Sequence, residues 1–71
     1  MKITQRMKNE LKAVRCVDTR NYRYNLDFCY DGSAYLSRIP MESVRRQTTD
    51  LIEGWEIIMD VDLSNDRWEI R

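Results

Sequence analysis

One stretch, residues 22–32, decides the fold, and it reads Tyr22-Arg23-Tyr24-Asn25-Leu26-Asp27-Phe28-Cys29-Tyr30-Asp31-Gly32. Through residue 30, every even position is apolar or aromatic and every odd position is polar or small. Such strict alternation is typical of a β-strand that buries one face. The Asp31-Gly32 pair readily adopts the positive φ angles that a tight hairpin turn needs. The stretch therefore predicts a β-hairpin, with residues 33–39 as the returning strand.

A two-residue loop at Asp31-Gly32 sets the predicted register of this hairpin. It places Phe28 opposite Tyr35 and Tyr24 opposite Ile39. Because opposite residues share a face of the sheet, Tyr35 is expected in the core. The predicted core residues are Tyr24, Leu26, Phe28, Tyr35, Val44, Leu51, Trp55, Ile57, Val61 and Trp68.

The segment before the hairpin contains a helical stripe followed by a short β-branched run. Ile3, Met7, Leu11 and Val14 recur at helical spacing, and Thr4 is a candidate N-cap. The same residues also suit an irregular lead into a strand, so residues 1–12 are open to either reading. Residues 11–17 favour a strand, which a turn at residues 18–21 ends.

The segment after the hairpin predicts a second helix and a second hairpin. Pro40 suits a helix start, apolar residues follow at helical spacing to residue 52, and Gly54 fits a C-cap. Residues 55–63 alternate again, and Ser64-Asn65 is a plausible two-residue turn. This turn predicts four cross-strand pairs: Asp62 with Arg67, Val61 with Trp68, Asp60 with Glu69 and Met59 with Ile70.

These elements predict a single small domain over residues 1–71. Its class is α+β: an antiparallel sheet of about five strands in the order (α)βββαββ, with one main helix packed on one face. A chain this short leaves much of its surface in water, so its stability is expected to be modest.

Charge is sorted along the chain, although its net value is +0. Residues 1–46 carry ten Lys/Arg and five acids, and residues 47–71 carry two Arg and seven acids. The first part therefore has a net charge of +5 and the second a net charge of −5. This sorting predicts one basic and one acidic surface, each suited to a partner of opposite charge.

The composition argues against catalysis, cofactors and metal sites. The chain has no His, which removes the commonest general base and metal ligand, and only two Gly, too few for a phosphate-binding loop. We therefore expect no enzyme, no cofactor and no metal. Cys16 and Cys29 are expected as free, partly buried thiols, which favours a cytoplasmic location. The apolar runs are too short to span a membrane, and residues 1–6 do not resemble a signal peptide.

Two surfaces are candidate binding sites. The first is an acidic face on the last hairpin, formed by Glu56, Asp60, Asp62 and Glu69. It can dock on a basic partner, in the manner of a phosphate mimic, or simply shield a sheet edge from aggregation. Metal binding is less favoured, because the spacing does not match a calcium loop. The second surface is basic, and it can hold a nucleic acid or be a solvated helix face; its residues are Arg6, Lys8, Lys12, Arg45 and Arg46.

From residue 13 onward the chain resembles a bacterial family, the domain of unknown function numbered 2442. The resemblance lies in the Leu26–Gly32 hairpin, a following helix, the strand at residues 55–60 and the late Trp68. Either Phe28 or Tyr30 matches the family's hairpin Phe, and the family's late Trp-Pro-x-Gly segment is absent here. The resemblance implies an accessory role and no established catalysis.

Two functions follow as hypotheses. The first is a small protein-binding domain, an inhibitor or accessory of phage or mobile-element type that acts on a host or defence complex, as anti-CRISPR proteins do. The second is a nucleic-acid-binding regulator or antitoxin component that uses the basic half. No membrane partner is expected, and a homodimer through an exposed edge strand is compatible with the predicted sheet.

Overall fold

A computed structural model describes residues 3–48 and 50–71. The chain folds as an α+β domain, as predicted, with one five-stranded antiparallel sheet in the spatial order β1-β2-β3-β4-β5. Each strand therefore pairs with its neighbours in the sequence. The elements are α1 (Gln5–Val14), β1 (Cys16–Asp18), β2 (Tyr22–Phe28), β3 (Ser33–Pro40), α2 (Met41–Arg46), β4 (Glu56–Asp62) and β5 (Arg67–Ile70).

Helix α1 is the main helix, and it begins and ends at recognisable caps. Thr4 accepts a hydrogen bond from the Met7 amide through its hydroxyl, as the N-cap prediction required. Arg15 adopts a left-handed conformation and donates its N–H to the Leu11 carbonyl, which closes the last turn. Leu11 is completely buried against the sheet. Of the residues that the sequence left open between helix and strand, 5–12 are thus helical, and residues 1–2 lie outside the described ranges. The strand predicted over residues 11–17 was wrong in its first half, because α1 continues to Val14 and β1 begins only at Cys16.

The face of the sheet under α1 holds the hydrophobic core, and we call it the core face. Tyr24, Leu26, Leu36, Met59 and Val61 are buried there with Leu11 and Ala34. Ile3, Met7, Val17 and Trp68 pack around them, partly buried. Burial of such apolar side chains is the dominant stabilising term in a domain of this size.

The register of the first hairpin differs from the prediction by one residue. Phe28 lies opposite Ala34 and Leu26 opposite Leu36. Cys29 pairs with Ser33, so the loop has three residues, and Gly32 takes a positive φ of 87° at its end. This arrangement is a turn followed by a glycine bulge, which is the usual form of a three-residue hairpin loop.

The register shift moves Tyr35 out of the core. Its neighbours Ala34 and Leu36 turn toward α1, so Tyr35 lies on the other side of the sheet and is half-buried. A one-residue slip exchanges the two faces of a strand, which is why the prediction for Tyr35 was wrong. Phe28 stays on the core face, but 42% of its surface is exposed beyond the edge of the core.

The second helix is shorter than predicted. It ends at Arg46, and Gln47 already has extended backbone angles. The Gln47 side chain accepts a hydrogen bond from the Glu53 amide and donates one to the Glu53 carbonyl. It thus bonds both backbone groups of Glu53, as a paired residue in a neighbouring β-strand does. Leu51 is therefore 72% exposed instead of buried, and Gly54 lies in a loop at a φ of 102°.

One apolar residue, Ile39, is completely buried outside this core, on the opposite side of the sheet from α1. Gly54 lies close to its side chain, and α2 follows β3 directly. Val44 and Trp55 are half-buried, and the Trp55 indole donates to the Ile52 carbonyl. We call the remainder of this side of the sheet, which the described elements leave uncovered, the open face.

The second hairpin has the predicted register, and all four expected pairs are present. Its turn is longer than the Ser64-Asn65 prediction, because Leu63–Asp66 all lie outside the ladder and Asp66 has a φ of 51°. Short polar residues such as Asp tolerate this left-handed conformation, so the turn needs no glycine.

Candidate functional site: a groove on the open face

The open face carries a groove of about 610 Å³ over strands β3, β4 and β5. Cross-strand neighbours define its centre, because Tyr35 lies opposite Asp60, which in turn lies opposite Glu69. Directly opposite residues in antiparallel strands have Cα atoms about 4.5–5.5 Å apart, so these three side chains form one row. Asp27 lies opposite Tyr35 on β2 and continues the row.

A second row closes the groove toward the turns. It consists of Ser33, Asp62 and Arg67, which are successive cross-strand partners. Arg71 adds a cation at the other end, where its guanidinium lies 3.8 Å from the Asp60 carboxylate. The groove lining thus includes three carboxylates and two guanidiniums, with Cys29 and Ile57 at its margins.

The carboxylates of the groove differ in the hydrogen bonds and ion pairs that they already form. The Asp62 carboxylate accepts hydrogen bonds from the Ser64 amide and the Asn65 side chain, which holds the β4–β5 turn in place. The Asn65 hydrogen bond lowers the pKa of Asp62 below its ordinary value. Asp60 has its ion pair with Arg71, and both side chains remain more than half exposed. Such exposed pairs contribute little to stability, so an incoming cation can replace Arg71 at Asp60.

Glu56 does not belong to this group, in contrast to the prediction. The register shifts between Leu36 and Ser37, so that Ile57 lies opposite Ser37 and Glu56 opposite Arg38. The extra residue is a β-bulge, and it reverses the face on which the start of β4 presents its side chains. The alternation of apolar and polar residues in the sequence cannot locate this bulge, because the pattern shows no break where the extra residue lies.

The structure adds two residues that the sequence reasoning did not assign to the site, Asp27 and Tyr35. Both are half-buried on the open face. Asp27 has an odd position in β2, so its face was predictable from the alternation. Tyr35 was assigned to the core through the wrong register, and a three-residue loop ending at Gly32 would have placed it correctly.

Four of the five basic residues of the second candidate surface contact neighbouring side chains. Arg6 lies 3.6 Å from Glu10, Lys12 lies 3.4 Å from Asp66, and Arg46 pairs with Glu42. Lys8 sits 5.7 Å from the centre of the Trp68 ring. Arg45 lines a separate shallow pocket with Arg20 and Glu42. The structure therefore divides these cations among local contacts.

Asp66 shows how the two halves of the chain meet. Its carboxylate accepts from the Trp68 indole at 2.9 Å and from Lys12 at 3.4 Å. The indole hydrogen bond, helped by Lys12, lowers the pKa of Asp66 below its ordinary value. A basic residue of α1 thus compensates an acid of the last hairpin.

Other chemistry is sparse in the part of the chain that the structure describes. Within residues 3–48 and 50–71, no three His, Cys, Asp or Glu side chains are placed to hold a metal ion. Cys16 and Cys29 are free, as predicted, but both residues are exposed, so the prediction of partly buried thiols was wrong. Desolvation of the Cys16 thiol, followed by the Asp18 charge, raises the pKa of Cys16. The same described ranges contain no helix with the length and apolar character to span a membrane.

Comparison with known proteins finds no matching family model, no matching curated protein and no matching solved structure. The resemblance to the uncharacterised bacterial family therefore stays an expectation from the residues quoted for it.

Proposed function

We propose that this chain is a non-enzymatic protein-binding domain whose open face receives a basic segment of another protein. The observation that carries the proposal is the row Asp27, Tyr35, Asp60 and Glu69, of which the last three line a groove of about 610 Å³. An aromatic ring between carboxylates suits a guanidinium or ammonium group, which can lie over the ring and bond the acids at its sides.

The surroundings of the row support an extended occupant. The groove runs over three strands, from Asp62 and Arg67 beside the β4–β5 turn to Ile57, which is 39% exposed. An extended segment can present alternate side chains to such a surface, with cations at the acids and an apolar residue at Ile57.

The biological setting that we propose is an inhibitor or accessory role of phage or mobile-element type, comparable to an anti-CRISPR protein, in the cytoplasm. The lack of His in this sequence and its two free, exposed thiols support this setting. The acidic row is consistent with it, because carboxylates on a fixed surface can occupy a groove that a partner uses for phosphates.

Selection from a random peptide display library tests the binding chemistry. We expect the wild-type protein to enrich Arg- and Lys-rich peptides whose affinity falls with added salt. The variant Asp60→Lys/Glu69→Lys is expected to lose at least about tenfold in affinity, mainly through slower association. Asp62 is left intact because it holds the β4–β5 turn.

The matched control is Asp50→Lys/Glu53→Lys, which changes the net charge equally at two exposed residues outside the groove. It is expected to retain the selected peptides at nearly wild-type affinity, allowing for the general change in charge. Enrichment of peptides without basic residues would contradict the proposal. So would equal losses in the two double variants.

A further inference from the structure

The sheet ends in two open edges, and its hydrogen-bond pattern shows which backbone groups face outward at β5. The Arg71 amide donates to the Ile58 carbonyl, and these two residues continue the β4–β5 register. Hydrogen-bonded and non-hydrogen-bonded pairs alternate in an antiparallel ladder. The N–H and C=O groups of Trp68 and Ile70 therefore point away from β4, toward the open edge.

The side chains of β5 alternate between charge and apolar surface. Arg67 and Glu69 lie on the open face opposite Asp62 and Asp60, whereas Trp68 and Ile70 lie on the core face. Ile70 is 66% exposed, which is high for an apolar residue that borders the core. An added strand at this edge gains both backbone hydrogen bonds and apolar contact.

We infer that β5 pairs with β5 of a second copy of this chain, antiparallel, in the register that sets Trp68 opposite its own symmetry copy. In this register Arg67 of each protomer lies opposite Glu69 of the other, so two ion pairs form on the open face. The alternative register sets Glu69 opposite Glu69 of the other copy. It places like charges opposite each other at every open-face position, which destabilises cross-strand pairing. Charge complementarity therefore selects the first register.

The β1 edge is a poorer site for self-pairing. It has only three residues, and Arg15, which precedes it, has a left-handed conformation. Pairing of β1 with β5 of another copy is a head-to-tail contact that can propagate without closing, whereas β5 with β5 closes after two copies. The closed dimer extends the sheet to ten strands and leaves the face that holds the groove accessible.

The expected dimer is weak, because the contact is short. Contacts that bury well under about 1,200 Å² in total are typical of transient association, so we expect a dissociation constant on the order of 100 µM. Sedimentation equilibrium on the full chain up to millimolar concentration measures it, without any other partner present. The amide chemical shift of Trp68, the central residue of this register, is expected to change with concentration, while those of Cys16 and Asp18 on β1 stay constant.

Charge exchange tests the register. Arg67→Glu and Glu69→Arg each replace the ion pairs by like charges, and each is expected to weaken self-association by about tenfold. An equimolar mixture of these two variants restores both ion pairs in a heterodimer and is expected to associate as the wild type does. The double variant Arg67→Glu/Glu69→Arg exchanges the two charges, so two copies of this variant also form both ion pairs with each other.

Both residues are exposed, so the variants are expected to fold, and circular dichroism checks this. A wild-type chain that stays monomeric at millimolar concentration overturns the inference. Association that the single variants do not weaken, or shift changes at β1 in place of β5, overturns it as well. Because no basic peptide enters these measurements, their failure leaves the proposed function of the groove standing.

Discussion

At the scale of single residues, position relative to α1 decides what each apolar side chain contributes. Leu26 and Phe28 are two positions apart on the same face of β2, yet Leu26 is 1% exposed and Phe28 is 42% exposed. Leu26 belongs to the cluster around Leu11, whereas Phe28 stacks under the Arg15 guanidinium at 4.2 Å. The two residues therefore differ in function although their sequence environments are similar.

The variant Leu26→Ala is expected to lower the free energy of unfolding by about 2–5 kcal/mol, because it removes buried methyl groups and leaves a cavity. The variant Phe28→Ala is expected to cost only about 1–2 kcal/mol, since much of the ring stays in water. Urea unfolding followed by tryptophan fluorescence compares the two. A larger loss for Phe28→Ala would show that the hairpin end is buried more deeply than the structure indicates.

At the scale of elements, side-chain hydrogen bonds replace helix in the 47–55 segment. The stripe of apolar residues from Met41 to Ile52 favours a helix of three turns, but the helix ends at Arg46. Gln47 then binds both backbone groups of Glu53, and Gly54 lies close to the Ile39 side chain. The local pattern is overruled because helix propensity is weak, and the Gln47 side chain satisfies the Glu53 backbone in place of helical hydrogen bonds.

The variant Gln47→Ala is expected to lower the free energy of unfolding by about 1 kcal/mol, because the Glu53 amide and carbonyl lose their partners. Amide exchange at Glu53 is expected to accelerate while exchange in β2 changes little. The matched control is Gln5→Ala, whose side chain makes only an exposed hydrogen bond to Asn9, and it is expected to be close to neutral. Unchanged exchange at Glu53 would contradict the role of Gln47.

At the scale of the whole molecule, the fold mixes charges that the sequence separates. Residues 1–46 are basic and residues 47–71 are acidic, but α1 lies close to the last hairpin. Lys12 consequently pairs with Asp66, and Lys8 lies over Trp68. The row on the open face stays acidic, while the basic residues of α1 are partly compensated.

We expect no tight binding of nucleic acid by the isolated domain, with dissociation constants weaker than about 10 µM for DNA and RNA oligonucleotides at physiological salt. The reason is the net charge of +0 together with local pairing of Arg6, Lys12 and Arg46. Fluorescence anisotropy at two salt concentrations measures these dissociation constants.

The triple variant Glu10→Gln/Glu42→Gln/Asp66→Asn frees the paired cations. It is expected to bind more tightly than the wild type and with a steeper salt dependence. Sub-micromolar binding by the wild type, falling steeply with salt, would favour the nucleic-acid hypothesis over the groove.

The sequence by itself determined the class of fold, the order of the elements from β1 onward, the Thr4 cap and the register of the second hairpin. These features rest on local periodicity and turn chemistry, which act between residues close in the chain. Asp60, Asp62 and Glu69 were accordingly identified from the sequence as residues of one face. The face of Asp27 was predictable in the same way.

Only the tertiary structure decided the register of the first hairpin, the bulge in β4 and the end of α2. The register of the first hairpin depends on contact between distant elements, because it places Leu36 in the core with Leu11 of α1. The end of α2 is accompanied by hydrogen bonds from the Gln47 side chain to the Glu53 backbone. A one-residue slip or a bulge leaves the local alternation intact but exchanges faces. That is the physical reason why Tyr35 joins the acidic row and Glu56 leaves it.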